Sequence, residues 1–222
     1  MRSKIIVAVC LLFVGSGVFA QQAVIRELTG TVELKQAGSA VWEKAVQGQS
    51  IAGNTVISTG FKSYAQLNIG NSILNVRPLT RLSLAELSSA AGIETIRVNL
   101  QAGRVRANVN PPAGSRSEFS IQTPPATASV RGTTFEVDVF TLSVIEGSVE
   151  YTGTSGVPVL VDTGSSSYVD DRTGRAASSM ETLFAALNPE QPVGSVQFSS
   201  FKGAATVQRK SNMGVPVVID YE

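Results

Sequence analysis

The sequence predicts an all-β protein: many short, mostly antiparallel strands in a roll, sandwich or solenoid-like β domain, plus one short C-terminal amphipathic helix. Three observations predict it. Apolar and polar residues alternate in short runs from Ala23 to Val169. Gly, Asn and Pro punctuate those runs at regular intervals, as in sandwiches and rolls. No long helical period falls between the runs, which argues against a parallel sheet built from βαβ units.

Residues 1–20 read as a secretory signal peptide. Arg2 and Lys4 form a basic start, Ile5 to Val14 an apolar run, and Val18-Phe19-Ala20 places small residues where a signal peptidase cuts. That run is too short for a membrane helix, which needs about 20 residues. Cys10 lies inside it, with Val9 rather than a small residue before it, so lipidation is not expected. Cleavage would leave a chain starting at Gln21 with no cysteine and no membrane span. An exported, periplasmic or secreted protein of that kind relies on its own core rather than on disulfides.

The β runs follow in order. Val24 to Leu28 and Thr31 to Lys35 flank Thr29-Gly30, a hairpin signal. Val41 to Lys44 is a short strand, with Trp42 expected to pack on the core or its rim. Thr55 to Ser58 ends at Thr59-Gly60. Tyr64 to Ile69 turns at Gly70-Asn71 into Ile73 to Val76, and Pro78 separates these from Arg81 to Leu87. Glu94 to Leu100 and Gly103 to Val109 alternate apolar residues. The first of the two strand–Gly–strand units, around Gly30, is weakly echoed around Gly103. A Pro111–Ser115 loop leads to Glu118 to Gln122. Leu142 to Ile145 and Ser148 to Tyr151 flank Glu146-Gly147, a second hairpin signal. Val157 to Val161 and Ser167 to Val169 complete the series, giving a β domain over residues 21–170.

The extension over residues 171–222 has a different composition. Ser178 and Glu181 form a capping box, and Met180, Leu183, Phe184 and Leu187 recur at helical spacing before Pro189. These predict a helix over about 179–187, with its apolar stripe packed on the β domain. Residues 188–212 carry only isolated apolar residues, and Val215 to Tyr221 is either a last strand or a loosely held tail.

Composition excludes much chemistry. The chain has no histidine and one cysteine, which sits in the leader. Ser-His-Asp and Cys-His constellations and His/Cys zinc sites are therefore ruled out. Removing Arg2 and Lys4 leaves 16 basic against 17 acidic residues, a charge of −1 with no like-charge block, so no nucleic-acid partner is expected. Glu136 with Asp138, and Asp170 with Asp171, are the candidate carboxylate pairs. The first shares the wet face of a strand and the second reads as a polar turn. Gly153-Thr154-Ser155-Gly156 lacks the spacing and lysine of a phosphate loop. Trp42, Phe61 and Tyr64 could stack on a sugar, though packing is the plainer reading. No catalytic, cofactor or metal residue is assigned.

The stretch from Thr123 to Val139 carries the sharpest pattern. Thr123-Pro124 marks a strand end, because a residue before proline is pushed to extended geometry. Arg131-Gly132 reads as a kink between two alternating runs, with the Arg131 guanidinium holding nearby carbonyls or a carboxylate; the alternative is a ligand contact. Gly132→Val is then expected to strain or crowd the backbone.

Thr123-Pro124-x-Ala126-x-Ala128-x-Val130-Arg131-Gly132-Thr133-x-Phe135-x-Val137 resembles the core signature of the FecR-domain family. Gly103-Arg104-Val105 and Glu146-Gly147-Ser148-Val149 are similar to its flanking elements, and Gly48 through Gly53-Asn54-Thr55 to Gly60 to its lead-in. The resemblance spans about Gly30 to Tyr151. It implies an all-β, extracytoplasmic, non-catalytic domain in which Thr123, Pro124, Arg131, Gly132, Thr133, Phe135, Glu146 and Gly147 are family-motif residues with structural roles. The best-known members are anti-sigma regulators with a cytoplasmic region, one membrane helix and a periplasmic domain. This chain has no cytoplasmic region of useful length before residue 5 and a cleavable leader where the anchor would be. The implied function is a binding or scaffold module of the bacterial envelope that recognises a protein partner. The alternatives are a carbohydrate or cell-wall binding domain, and a regulator retained by an uncleaved N-terminal anchor.

Overall fold

The structure is a computed structural model and describes residues 22–90, 93–111, 114, 116–187, 196–201 and 204–209, the last two segments by backbone only. The predicted signal peptide and the possible strand from Val215 to Tyr221 lie outside the described residues.

Two open sheets pack face to face. In chain order the first strands are β1 (Ala23–Thr29), β2 (Val32–Lys35), β3 (Glu43–Lys44), β4 (Ser50–Ile51) and β5 (Val56–Thr59). There follow β6 (Tyr64–Ile69), β7 (Ser72–Val76), β8 (Arg81–Ala90), β9 (Ile93–Ala102) and β10 (Arg104–Asn108). Next come β11 (Arg116–Gln122), β12 (Ala126–Val130), β13 (Thr134–Asp138), β14 (Thr141–Glu146), β15 (Ser148–Gly153), β16 (Pro158–Asp162) and β17 (Ser166–Tyr168). The eight-stranded first sheet has the order β17-β14-β13-β10-β7-β6-β1-β4, and the nine-stranded second sheet the order β16-β15-β12-β11-β9-β8-β5-β2-β3. Every pairing is antiparallel except β9 with β11.

The chain lays down a hairpin in one sheet, crosses, and lays down the next in the other. Thus β6–β7 belong to the first sheet, β8–β9 to the second, β11–β12 to the second, β13–β14 to the first and β15–β16 to the second. The single strand β10 carries the chain from one end of the sandwich to the other. Its Arg104 end pairs with Asp138 and its Asn108 end with Thr134. Four crossings before β10, at residues 30, 59–63, 77–80 and 103, gather at one end. After it, the chain leaving β10 at Val109 and the crossings at 131–133 and 147 lie at the opposite end, as the registers of β10, β13 and β14 require.

Strict alternation makes the core. In β13, Phe135 and Val137 point inward while Thr134, Glu136 and Asp138 face outward, as the period of 2 demands. One continuous apolar cluster fills the space between the sheets, including Ile25, Leu67, Leu84, Val98 and Tyr151. Phe119 of the second sheet meets Phe135 of the first edge-on, with ring centroids 6.3 Å apart and planes at 80°, a favoured aromatic geometry.

Several expectations change. Thr29-Gly30 and Glu146-Gly147 are not hairpins: β1 and β2 lie in different sheets, as do β14 and β15. Both glycines sit at sheet crossings. Trp42 does not enter the core. It lies half-buried with the Lys35 ammonium and the Arg81 guanidinium each 5.4 Å from its ring, because a short irregular segment leaves it over polar strand positions.

The helix α1 (Ser179–Leu187) forms where its cap predicts. The Ser178 amide donates to Glu181 Oε2 at 2.7 Å and the Glu181 amide to Ser178 Oγ at 3.2 Å. Its apolar stripe is not packed away, however. Met180, Leu183 and Leu187 are exposed and Phe184 is half-buried. The helix lies beside β17 and is tied at its N-terminal end through the cap and the Arg175–Glu181 ion pair. Beyond it β18 (Val196–Phe201) and β19 (Ala204–Arg209) pair as a hairpin, in a stretch whose alternation of Val196 and Phe198 was too brief to be read as a strand.

Candidate functional site

Three sets of residues bear on function: the family-motif positions, the outer face of the first sheet, and the sheet edges.

The motif residues converge on the crossings. Thr123 closes the β11–β12 hairpin: its amide donates to the Ala126 carbonyl at 2.7 Å, and its Oγ1 accepts the Ala126 amide at 3.1 Å. Pro124 sits exposed in that turn. Arg131-Gly132-Thr133 carries the chain from β12 in the second sheet to β13 in the first. Buried Thr133 donates its hydroxyl to the Ser148 carbonyl at 2.9 Å, and its own carbonyl accepts the Val109 amide at 3.0 Å. Gly147, at φ +87°, lies against this corner. A Cβ there would stand 3.0 Å from the Gly132 carbonyl oxygen and 3.0 Å from Thr133 Oγ1. The two halves of the signature, Arg131-Gly132-Thr133 and Glu146-Gly147, are therefore in direct contact. Phe135 is in the core, and Glu146 is exposed opposite Thr134.

Two motif residues behave differently from expectation. Arg131 is exposed and makes no side-chain hydrogen bond or ion pair among the described residues, since the corner is held by Thr133 and by backbone. Gly132 is outside the left-handed region, and a Cβ there would come no nearer than 3.5 Å to any atom, at Pro111 Cδ, an ordinary contact. The conformational requirement falls on other glycines.

Sequence reasoning missed the device that repeats this corner. At Gly103 (φ +86°) a Cβ would stand 2.3 Å from Thr80 Oγ1. That hydroxyl accepts the Arg104 amide at 3.0 Å and donates to the Arg104 carbonyl at 3.1 Å. At Gly30 (φ +74°) the corresponding group is Ser63 Oγ, which accepts the Thr31 amide at 2.9 Å. A glycine in left-handed geometry and a hydroxyl from a distant crossing thus recur at Gly30 with Ser63, Gly103 with Thr80, and Gly147 with Thr133. The signal lay in hydroxyl residues next to turn glycines, but the partners are far apart in sequence.

The outer face of the first sheet is polar. Glu136 and Asp138 share it, as expected, and do not form a free acid pair. Arg77 reaches Glu136 at 3.2 Å, and Arg104 reaches Glu136 at 3.4 Å and Asp138 at 3.0 Å. Burial opposes ionisation of Asp138. It is outweighed by hydrogen bonds from Thr141, the Phe140 amide and Arg104, which hold the carboxyl below its usual range. A general acid needs the opposite shift. Asp170 accepts the Arg172 and Thr173 amides at 2.8 and 3.2 Å, the geometry of a polar turn.

Beside this ion-pair network, β6, β7, β10 and β13 form a shallow groove of ≈ 340 Å³. Gln66, Asn75 and Arg106 stand side by side on successive strands, with Tyr64 at one flank and Asn108 at the other. The Tyr64 hydroxyl donates to Asn75 Oδ1 at 2.6 Å. Burial, then the nearby Glu27 carboxylate, raises the Tyr64 pKa against the lowering effect of Arg77. Trp42, Phe61 and Tyr64 are not brought together: Trp42 lies on the second sheet between Lys35 and Arg81, Phe61 is exposed in a crossing, and Tyr64 is on the first sheet.

The sheet edges differ in length and cover. β3 and β4 have two residues each. β17 is covered by the segment before α1, through a Val169–Ala176 bridge and a 2.6 Å bond from Ser167 Oγ to the Ala177 carbonyl. β16 has five residues, and no described strand pairs with its outer side. Leu160 is 62% and Val157 55% exposed along it.

These features define an open two-sheet β domain in which Thr123, Thr133 and Gly147 hold turns or crossings and Phe135 fills the core. The model of the FecR protein family matches residues 55–150, a match that begins within the predicted lead-in. Two crystal structures, each of a candidate anti-sigma factor from Parabacteroides distasonis, are similar at 13% identity and a TM-score of 0.45, covering 70% of this chain and 99% of the other. A search of curated proteins found no match.

Proposed function

We propose that this chain is a non-catalytic, extracytoplasmic binding module of the cell envelope, and that its partner is a protein segment that adds as a strand to β16. The observation that carries this reading is the contrast among the four edges of the two large sheets. An unpaired edge is a template for another strand, and main-chain bonds with alternate side-chain contacts are how strand addition achieves affinity and specificity. β3 and β4 are short and β17 is covered, and of these four edges β16 combines length, a side that no described strand pairs with and exposed apolar residues. Export is supported by the basic start, apolar run and small residues of 1–20. No helix among the described residues is long and apolar enough to cross a membrane.

The test combines pull-down from envelope extract with hydrogen exchange. Wild-type protein should retain a partner that protects the β16 amides. Leu160→Lys, which places a charge on an exposed edge position, should abolish retention with little change in stability. A partner retained equally by the variant, or one that protects amides elsewhere, would refute strand addition. Mass spectrometry of the mature N-terminus tests export: a chain beginning at Gln21 supports it, and an intact leader supports the anchored regulator instead.

A further inference from the structure

We propose that the groove across β6, β7, β10 and β13 is a binding site for an acidic oligosaccharide, with Arg106 taking a sugar carboxylate. The site is distinct from the β16 edge, since the groove lies on the central strands of the first sheet and β16 is an edge strand of the second.

The argument starts from what the groove offers. Its outward positions carry amides at Gln66, Asn75 and Asn108, hydroxyls at Tyr64 and Thr134, and a single aliphatic side chain, Ile73. Amides and hydroxyls both donate and accept, and so do the hydroxyls of a sugar. A peptide would need apolar pockets for alternate side chains, which this surface lacks. The groups also repeat at a useful interval. Register places Gln66, Asn75 and Arg106 opposite one another on three adjacent strands, and Asn68, Ile73, Asn108 and Thr134 in the neighbouring row. Adjacent strands are about 4.8 Å apart, close to the length of one pyranose in an extended chain. A saccharide lying across the strands would therefore meet an equivalent polar position at each ring.

A guanidinium without a carboxylate partner selects an acidic ligand. Three guanidiniums, Arg77, Arg104 and Arg106, and three carboxylates, Glu27, Glu136 and Asp138, share this part of the sheet. Arg77 and Arg104 take Glu136 and Asp138. Arg106 lies directly across from Glu136 in the register, yet no described carboxylate is within ion-pair distance of it and its side chain makes no hydrogen bond among the described residues. It is half-buried in the groove, where a guanidinium can bind a carboxylate through two parallel bonds. The flanking Glu136, Asp138 and Glu27 disfavour a dense polyanion such as nucleic acid, whereas a chain with spaced carboxylates fits a single free cation.

Isothermal calorimetry of the full chain with oligogalacturonate, maltohexaose and dextran sulfate tests this. Saturable binding of oligogalacturonate is expected, with maltohexaose at least tenfold weaker. Arg106→Gln should weaken oligogalacturonate binding by about tenfold or more, the loss of a charge-assisted pair, while Leu160→Lys should leave it unchanged. Amide shifts on titrating wild-type protein should map to β7 and β10, and this readout decides the matter if Arg106→Gln does not fold. The proposal is overturned by absence of saturable binding, by equal binding of maltohexaose or dextran sulfate, by an unaffected Arg106→Gln variant, or by shifts centred outside the groove. Retention of a protein partner at β16 is indifferent to every one of these results, so the two readings fail separately.

Discussion

Replacing Gly103 with alanine should destabilise the domain severely, while the same change at Gly132 should be nearly silent. At Gly103 three costs add. The residue sits at φ +86°, where a Cβ costs about 1–2 kcal/mol. The new methyl would lie 2.3 Å from Thr80 Oγ1, so the hydroxyl must leave and forfeit its bonds to the Arg104 amide and carbonyl, each worth about 1 kcal/mol. It would also lie 2.5 Å from Thr80 Cα and 2.7 Å from the Leu79 carbonyl oxygen, which are backbone atoms that can yield only by moving the crossing, at about 1–3 kcal/mol. The total is at least about 4 kcal/mol. For a chain of this size that lowers Tm by roughly 8 °C or more, at about 2–4 °C per kcal/mol. Gly132 has no left-handed φ, and its Cβ would touch Pro111 Cδ at 3.5 Å, so Gly132→Ala should stay within about 0.5 kcal/mol of wild type. Urea unfolding of the three proteins measures the contrast. A Gly103→Ala variant within about 1 kcal/mol of wild type, or equal losses at the two sites, would refute the account of the crossings.

Two further outcomes follow from the charged and capping groups. Because the Asp138 carboxyl is held below its usual range when folded, its contribution is present above the unfolded value of about 3.9 and is lost as pH falls through the lower folded value. Asp138→Asn, which can still accept the Phe140 and Thr141 amides, should be less stable at neutral pH and decline less steeply below about pH 4, so that the two curves converge; parallel urea-midpoint curves would rule this out. Ser178→Ala removes the acceptor of the Glu181 amide and should weaken the helix start by about 1 kcal/mol. Because no residue of α1 is buried, the loss should appear as faster amide exchange in the first turn of α1 with little change in global unfolding.

How far the sequence could be read depended on whether a feature is local. Alternation within a strand is local, and β13 shows it: Phe135 and Val137 are buried exactly where a period of 2 puts them. The capping box is local too, and Ser178 and Glu181 make both of its bonds. Whether a strand pairs back on its predecessor or crosses to the facing sheet is not local. Thr29-Gly30 and Glu146-Gly147 look like hairpin turns because a left-handed glycine between two alternating runs serves either purpose. The choice at Gly30 is made by Ser63, whose hydroxyl accepts the Thr31 amide, and at Gly103 by Thr80 on Arg104. The groove was illegible for the same reason. Asn75, Arg106 and Asn108 are ordinary outward positions in separate strands, and only the register of β7 and β10 sets them side by side.

The position of the family signature explains why it identifies a fold and leaves the ligand open. Thr133 and Gly147 hold a crossing, Thr123 closes a turn and Phe135 fills the core; altering any of them alters the scaffold. The side chains that face solvent between these points are free of that constraint. On β13 the two kinds alternate residue by residue, with Phe135 and Val137 inward and Thr134, Glu136 and Asp138 outward. A sandwich held together at its corners and between its layers can therefore change the chemistry of an outer face without disturbing the fold. The outer face of this chain carries an amide- and arginine-bearing groove, and the groove residues lie at positions the signature skips.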